Sequence, residues 1–173
     1  SDSTYGFAEV GLLGRLTEKS TIDCATGYLM RLYAADDSFS GPVFYLRFTE
    51  QVTRRDQLLA GYNYVVKDSY WSNYLLDQEI YIGLAHVMGD QLLLMGRIGY
   101  NYTSYSKPDR RDDQRITAGF MAKYSLSKNI KLAGDFKMDL LPSVAYDNSS
   151  GVIPDRPVSY KYASLGLSLI TNF

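Results

Sequence analysis

The chain is poor in the residues on which most enzymatic sites depend. One cysteine, Cys24, excludes an internal disulfide and any cysteine-based metal set, and a single histidine, His86, must serve every mechanism that needs imidazole. Net charge is close to balanced at −1, so no basic field points to nucleic acid, and none is expected as a partner. No apolar run approaches the ~18–20 residues of a membrane helix. Mean hydropathy of −0.20 still allows a membrane β-barrel, whose strands alternate and so average to near neutral. The start, Ser1-Asp2-Ser3-Thr4, reads as a mature or trimmed terminus.

What the chain does have is tyrosine, with 16 copies against 7 Phe and 1 Trp. Tyrosine suits sites where one end of the ring is wet and the other apolar, as at a membrane interface. It also has a persistent period of two. One face of the segment from Ile22 reads Ile22, Cys24, Thr26, Tyr28, Met30, Leu32, and the other carries Asp23 and Arg31. The same division recurs from Leu92, from Ile116 and from Ile130, where Lys131, Asp135, Lys137 and Asp139 oppose Leu132, Phe136 and Leu140. Similar segments lie near 5–16, 42–52, 57–67, 76–88 and 159–173, giving nine in all. Each is long enough for a tilted membrane strand of ~9–11 residues. The glycines within 5–16 argue against a helix there.

The expected fold is all-β, an antiparallel up-and-down transmembrane β-barrel of about 8–10 strands, with 1–173 forming one domain, alone or as part of a larger barrel. Short connections are expected at 17–21, 53–56, 89–90 and 127–129, and long polar loops at 35–41, 68–75, 104–113 and 142–158. That asymmetry is the one expected of outer-membrane barrels. Tyr62, Tyr64, Tyr100 and Tyr102 would form a girdle at the long-loop end, and Tyr124 and Phe173 one at the short-turn end. Nine is an odd number where bacterial single-chain barrels are even. A missed strand, a first segment outside the barrel, or a larger barrel would each account for it.

With the greasier face toward lipid, the inward set holds Glu9, Arg15, Asp23, Arg31, Arg47, Asn63, Lys67, Glu79, Arg97, Arg115, Lys123, Lys131, Asp135, Lys137 and Asp139. Buried charges need partners or water. Two readings follow: an ion-pair network that fills the lumen, or a narrow polar pore with a slight anion preference. Arg31, Arg47, Arg97 and Arg115 are the candidates for plugging or selectivity. No catalytic residue, metal or cofactor is expected.

The final stretch, Tyr160-Lys-Tyr-Ala-Ser-Leu-Gly-Leu-Ser-Leu-Ile-Thr-Asn-Phe173, alternates and ends on an aromatic ring. It resembles the assembly signal of bacterial outer-membrane β-barrels, which the barrel-insertion machinery reads. The positions that match are Tyr162, Leu165, Leu167, Leu169 and Phe173. The resemblance implies the bacterial outer membrane as location, with its lipid and lipopolysaccharide as surroundings. Tyr102 to Asp139 also resembles the repeated hairpins of porin-like families, some of which accompany exopolysaccharide export.

Outer-membrane lipid A deacylases resemble the chain in size, but Met88 stands where they would place a serine, two residues after His86. The palmitoyltransferase class needs a His with an Asp-Ser pair, and Asp68-Ser69 lies at the opposite strand end from His86. A lipocalin would turn the same alternation inside out, and the only tryptophan, Trp71, falls in a loop rather than in the first strand. In the external loops, Tyr70, Trp71 and Tyr74 could stack on a polysaccharide or another surface ligand. Asp109, Arg110 and Arg111 could meet lipopolysaccharide phosphates or divalent cations. The solvated-loop reading of both segments needs no ligand.

Overall fold

A computed structural model describes residues 3–33, 38–68, 74–106, 111–127, 129–146 and 161–171. Nine strands follow one another: β1 (Ser3–Arg15), β2 (Ser20–Tyr33), β3 (Phe39–Gln51), β4 (Asp56–Asp68), β5 (Tyr74–Met88), β6 (Leu92–Tyr105), β7 (Arg111–Ser125), β8 (Ile130–Tyr146) and β9 (Lys161–Thr171). They form one antiparallel sheet in sequence order, each strand pairing with its neighbours in the chain. Among the described residues β1 pairs only with β2 and β9 only with β8, so both edges of the sheet are open.

Hairpin connections set this up-and-down order. At the tightest of them Gly89 adopts φ +62°, a left-handed conformation that glycine takes without a side-chain clash. The strands run further than their apolar alternation suggested. Only five residues separate β2 from β3, β4 from β5, and β6 from β7, against three or four at the opposite end of the sheet. The expected contrast in loop length is therefore small over the first seven strands. Alternation stops before the strands do, because past the membrane band the outward face no longer needs to be greasy.

The register is unbroken except between Gln114 and Ile116, where β8 advances three residues, from Leu140 to Ser143, while β7 advances two. Pro142, which has no N–H to give to a ladder, lies within this three-residue step. A second interruption lies between β3 and β4. Their ladder ends at Phe44↔Tyr64, while β2–β3 pairing continues to Arg31↔Phe39 and β4–β5 pairing to Asp68↔Tyr74.

Beyond that point the two hairpins lap over one another. Leu29, Phe39 and Val43, which share a parity with the charged face, pack against Val66, Tyr74 and Leu76, which share a parity with the apolar face. The Phe39 and Tyr74 rings meet edge-on at 5.3 Å, and Arg31 reaches Asp68 at 2.8 Å.

The curl of the sheet is legible in side-chain exposure. Thr103 is 1% exposed and Asn101 6%, whereas Ile80 is 58% and Ile98 60%. The polar side is therefore the crowded concave one, and the aliphatic side is convex.

Candidate functional site: a charged wall on the concave face

The ladder register brings Arg15, Arg31, Arg47, Glu79, Arg97, Arg115, Lys123, Asp135 and Lys137 to the same side of the sheet. Antiparallel pairing keeps cross-strand partners on one face, so a correct alternation in each strand suffices to gather them. Most of the wall is organised as small networks that span neighbouring strands.

On β2 and β3, Arg47 approaches Asp23 at 3.2 Å, Tyr45 donates its hydroxyl to the same carboxylate at 3.0 Å, and the Arg47 guanidinium lies 5.5 Å from the Tyr45 ring centre. Further along, Asn63 on β4 donates to Glu79 on β5 at 3.0 Å, and Glu79 pairs with Arg97 on β6. Arg97 stacks on the Tyr81 ring at 3.7 Å. Tyr81 itself lies over Gly61, where a Cβ would run into the ring, so the absence of a side chain on β4 makes room for the stack.

The most buried network joins four strands. Lys67 pairs with Asp77, Thr103 donates its hydroxyl to Asp77 at 2.9 Å, and Arg115 donates to Thr103 at 3.2 Å, with its guanidinium 3.9 Å from Asp77. Arg115 stands where β8 carries its extra residue. Its Nε, like that of Arg31, is buried without a hydrogen-bond partner among the described residues.

Asp77, Tyr81 and Thr103 did not stand out in the sequence reading. Asp77 lies inside the fifth segment, two positions before Glu79 and on the same face. The alternation that admits Glu79 admits Asp77 equally.

Two expectations change. Tyr74 and Arg111 are strand residues and not parts of free loops. Tyr74 opens β5 and packs on Phe39, while Arg111 opens β7, pairs with Asp113 at 3.2 Å and lies 4.2 Å from the Tyr105 ring centre. In β9, Leu165 and Leu167 point with the apolar face and are strongly exposed. Tyr162 pairs with Asp139 and lies on the opposite, charged face, because it stands three and five positions along the strand from the two leucines. Leu169 lies in β9 with a side chain outside the described set. Tyr70, Trp71, Asp109, Arg110 and Phe173 lie outside the described residues.

The convex face carries the aromatic band. Phe44 stacks on Tyr62 at 5.3 Å and Tyr64 at 5.5 Å, and Tyr62 donates to Gln78 at 2.9 Å. At the short-turn end Tyr124 donates to Gln91 at 2.7 Å. His86 also lies on this convex side, its Nδ1 2.6 Å from Asp56. No group of three or more potential metal ligands occurs among the described residues. No helix among them is long and apolar enough to cross a membrane, which says nothing against crossing with strands.

An up-and-down antiparallel sheet, aliphatic and aromatic outside and ionic inside, is the wall of a porin-type membrane β-barrel. The sequence model of the family described as "Putative beta-barrel porin 2" matches residues 1–152, and the chain belongs to that family. Among solved structures, the CymD monoaromatic hydrocarbon channel is similar, with a TM-score of 0.52 at 12% identity over 95% of this chain and 50% of that one. At that identity the likeness is one of fold, and the chain spans about half the length of that channel. No curated protein matches the chain.

Proposed function

We propose that this chain builds the wall of an outer-membrane porin that passes small polar solutes through a hydrated, charge-lined lumen. The carrying observation is that three cations gathered on the concave face stay open to solvent, although the carboxylate of Asp77 beside them is buried. Arg47 and Lys67 remain more than half exposed in their side chains, and Arg97 nearly so, even while each is paired. Barrels of about eight strands are usually filled by their own side chains, and open channels belong to wider ones. A width beyond nine strands fits the open edges, since no unpaired sheet edge is tolerated in hydrocarbon. It also fits a similar channel of twice the length.

In this reading the lipid of the outer membrane covers Ile82 and Ile98. The Phe44, Tyr62 and Tyr64 rings sit at the level of the lipopolysaccharide headgroups. The terminal alternating strand serves the barrel-insertion machinery. Polar solutes of low mass, and not hydrocarbons, are the cargo that this wall suits, because a charged face offers an apolar molecule no favourable contact.

The test is single-channel conductance of the full-length porin in a planar bilayer, after a heat-shifted gel band has established folding. Steady conductance, with a shift toward cations in Arg97→Ala, is the expected result. A folded barrel that passes no current would replace the pore with a plugged lumen built on the Asp77 network.

A further inference from the structure

Midway along the concave wall there is a notch of about 240 Å³ between β6 and β8. Its floor is Gly119 on β7, which the register sets directly between Arg97 and Lys137. One step toward the long-loop end, Thr117 faces Asp139, and Glu79 lies on the other side of the notch, bonded to Arg97. A side chain at position 119 would occupy the space between the two cations. Glycine leaves it open.

The charges in this notch are sorted by height. Strands β6 and β8 both run from the short turns toward the long loops, and β5 runs the opposite way. Arg97 and Lys137 share one rung through Gly119. Asp139 is one inward-facing rung nearer the long loops, on the rung of Thr117 and Gly99, and Glu79 is one rung beyond that, paired with Asn101. Both walls therefore present a cation toward the short-turn end and a carboxylate toward the long-loop end. Arg97 and Glu79 neutralise one another. Among the described residues, Lys137 and Asp139 have no ion partner within bonding distance, although both line the same notch.

Resting on the reading of this face as a lumen, we propose that the notch is a transit site for small zwitterions of amino-acid size. The solute's carboxylate would sit on Lys137 and Arg97 above Gly119, and its ammonium on Asp139. A lone anion would gain the cations but lie against two carboxylates, and a lone cation would meet the reverse. Only a solute carrying both signs, in the same order as the walls, satisfies both free groups. The volume favours few heavy atoms, since it lies below the ~300–1,000 Å³ of drug-sized pockets.

The test is equilibrium binding, by calorimetry, of L-alanine, acetate and methylammonium to the full-length porin refolded in detergent micelles. L-Alanine should bind at least about 10-fold more tightly than either singly charged probe, the ratio expected from one added charge-assisted hydrogen bond. Asp139→Asn should bring L-alanine down to the level of acetate and leave acetate no weaker. Lys137→Met should weaken L-alanine and acetate together and spare methylammonium. Equal binding of acetate and L-alanine, no binding of L-alanine, or both variants weakening all three probes alike would each overturn the proposal. Swelling of proteoliposomes in isotonic glycerol reads the pore separately. Swelling without L-alanine binding removes the site and keeps the pore, whereas binding without swelling keeps the site and removes the pore.

Discussion

Two regions of the concave face solve the same problem in different ways. At the long-loop end of β2–β5, the inward positions are Leu29, Phe39 and Val43, and they bury themselves against Val66, Tyr74 and Leu76 of the next hairpin. Midway along β5–β8, the inward positions are Glu79, Arg97, Thr117 and Lys137, and they surround an open notch. Where the β3–β4 ladder ends, two hairpins can slide over each other and cover apolar surface. Around the notch the ladders from β5 to β8 run in register, on the short-turn side of the break between Gln114 and Ile116, and no second layer covers the face, so it stays wet. An inward position thus follows the neighbour that the sheet gives it more closely than it follows the alternation.

The sharpest way to break the comparison is Phe39→Ala. It removes the ring that joins the two hairpins, and the expected loss is ~3–5 kcal/mol of folding stability, as for a large buried side chain. Urea titration of the protein refolded into lipid vesicles measures it. A loss below 1 kcal/mol would mean that the overlap contributes no packing.

On the convex side, Ile98→Arg puts a cation at mid-strand among exposed aliphatic side chains. The same titration should show a loss of ~2–4 kcal/mol, and an unchanged midpoint would mean that the two faces are exchanged. Within the charged wall, Thr103→Val removes the hydroxyl that both donates to Asp77 and accepts from Arg115. A cost of ~1–3 kcal/mol is expected for leaving buried partners unsatisfied. The smallest effect should come from Arg47→Met, because its pair with Asp23 is half exposed, and ~0–1 kcal/mol covers pairs of that kind. If Arg47→Met cost more than Thr103→Val, the ranking of buried over wet pairs on this wall would be reversed.

Much of this was legible in the chain. The alternation around Asp23 and Arg31, Arg97, and Lys137 and Asp139 marked nine strands and sorted their faces, and the register keeps those residues together. The strand membership of Arg111 and Tyr74 was harder to read. Beyond the membrane band, polar residues on both faces look the same in a strand as in a loop. The Asp77–Thr103–Arg115 network and the Arg97–Glu79 pair needed partners from three strands set side by side in register.

By itself, the sequence determined the period, and with it the strand segments of this chain and the side each charge takes. Those follow from the local geometry of an extended chain, in which successive side chains point opposite ways. Only the tertiary structure decided which charges meet, where Gly119 leaves a gap between two cations, and where the β2–β3 hairpin laps over β4–β5. Those outcomes depend on register and on where a ladder ends, and both are set by contacts between strands far apart in the chain, not by any one strand's own residues.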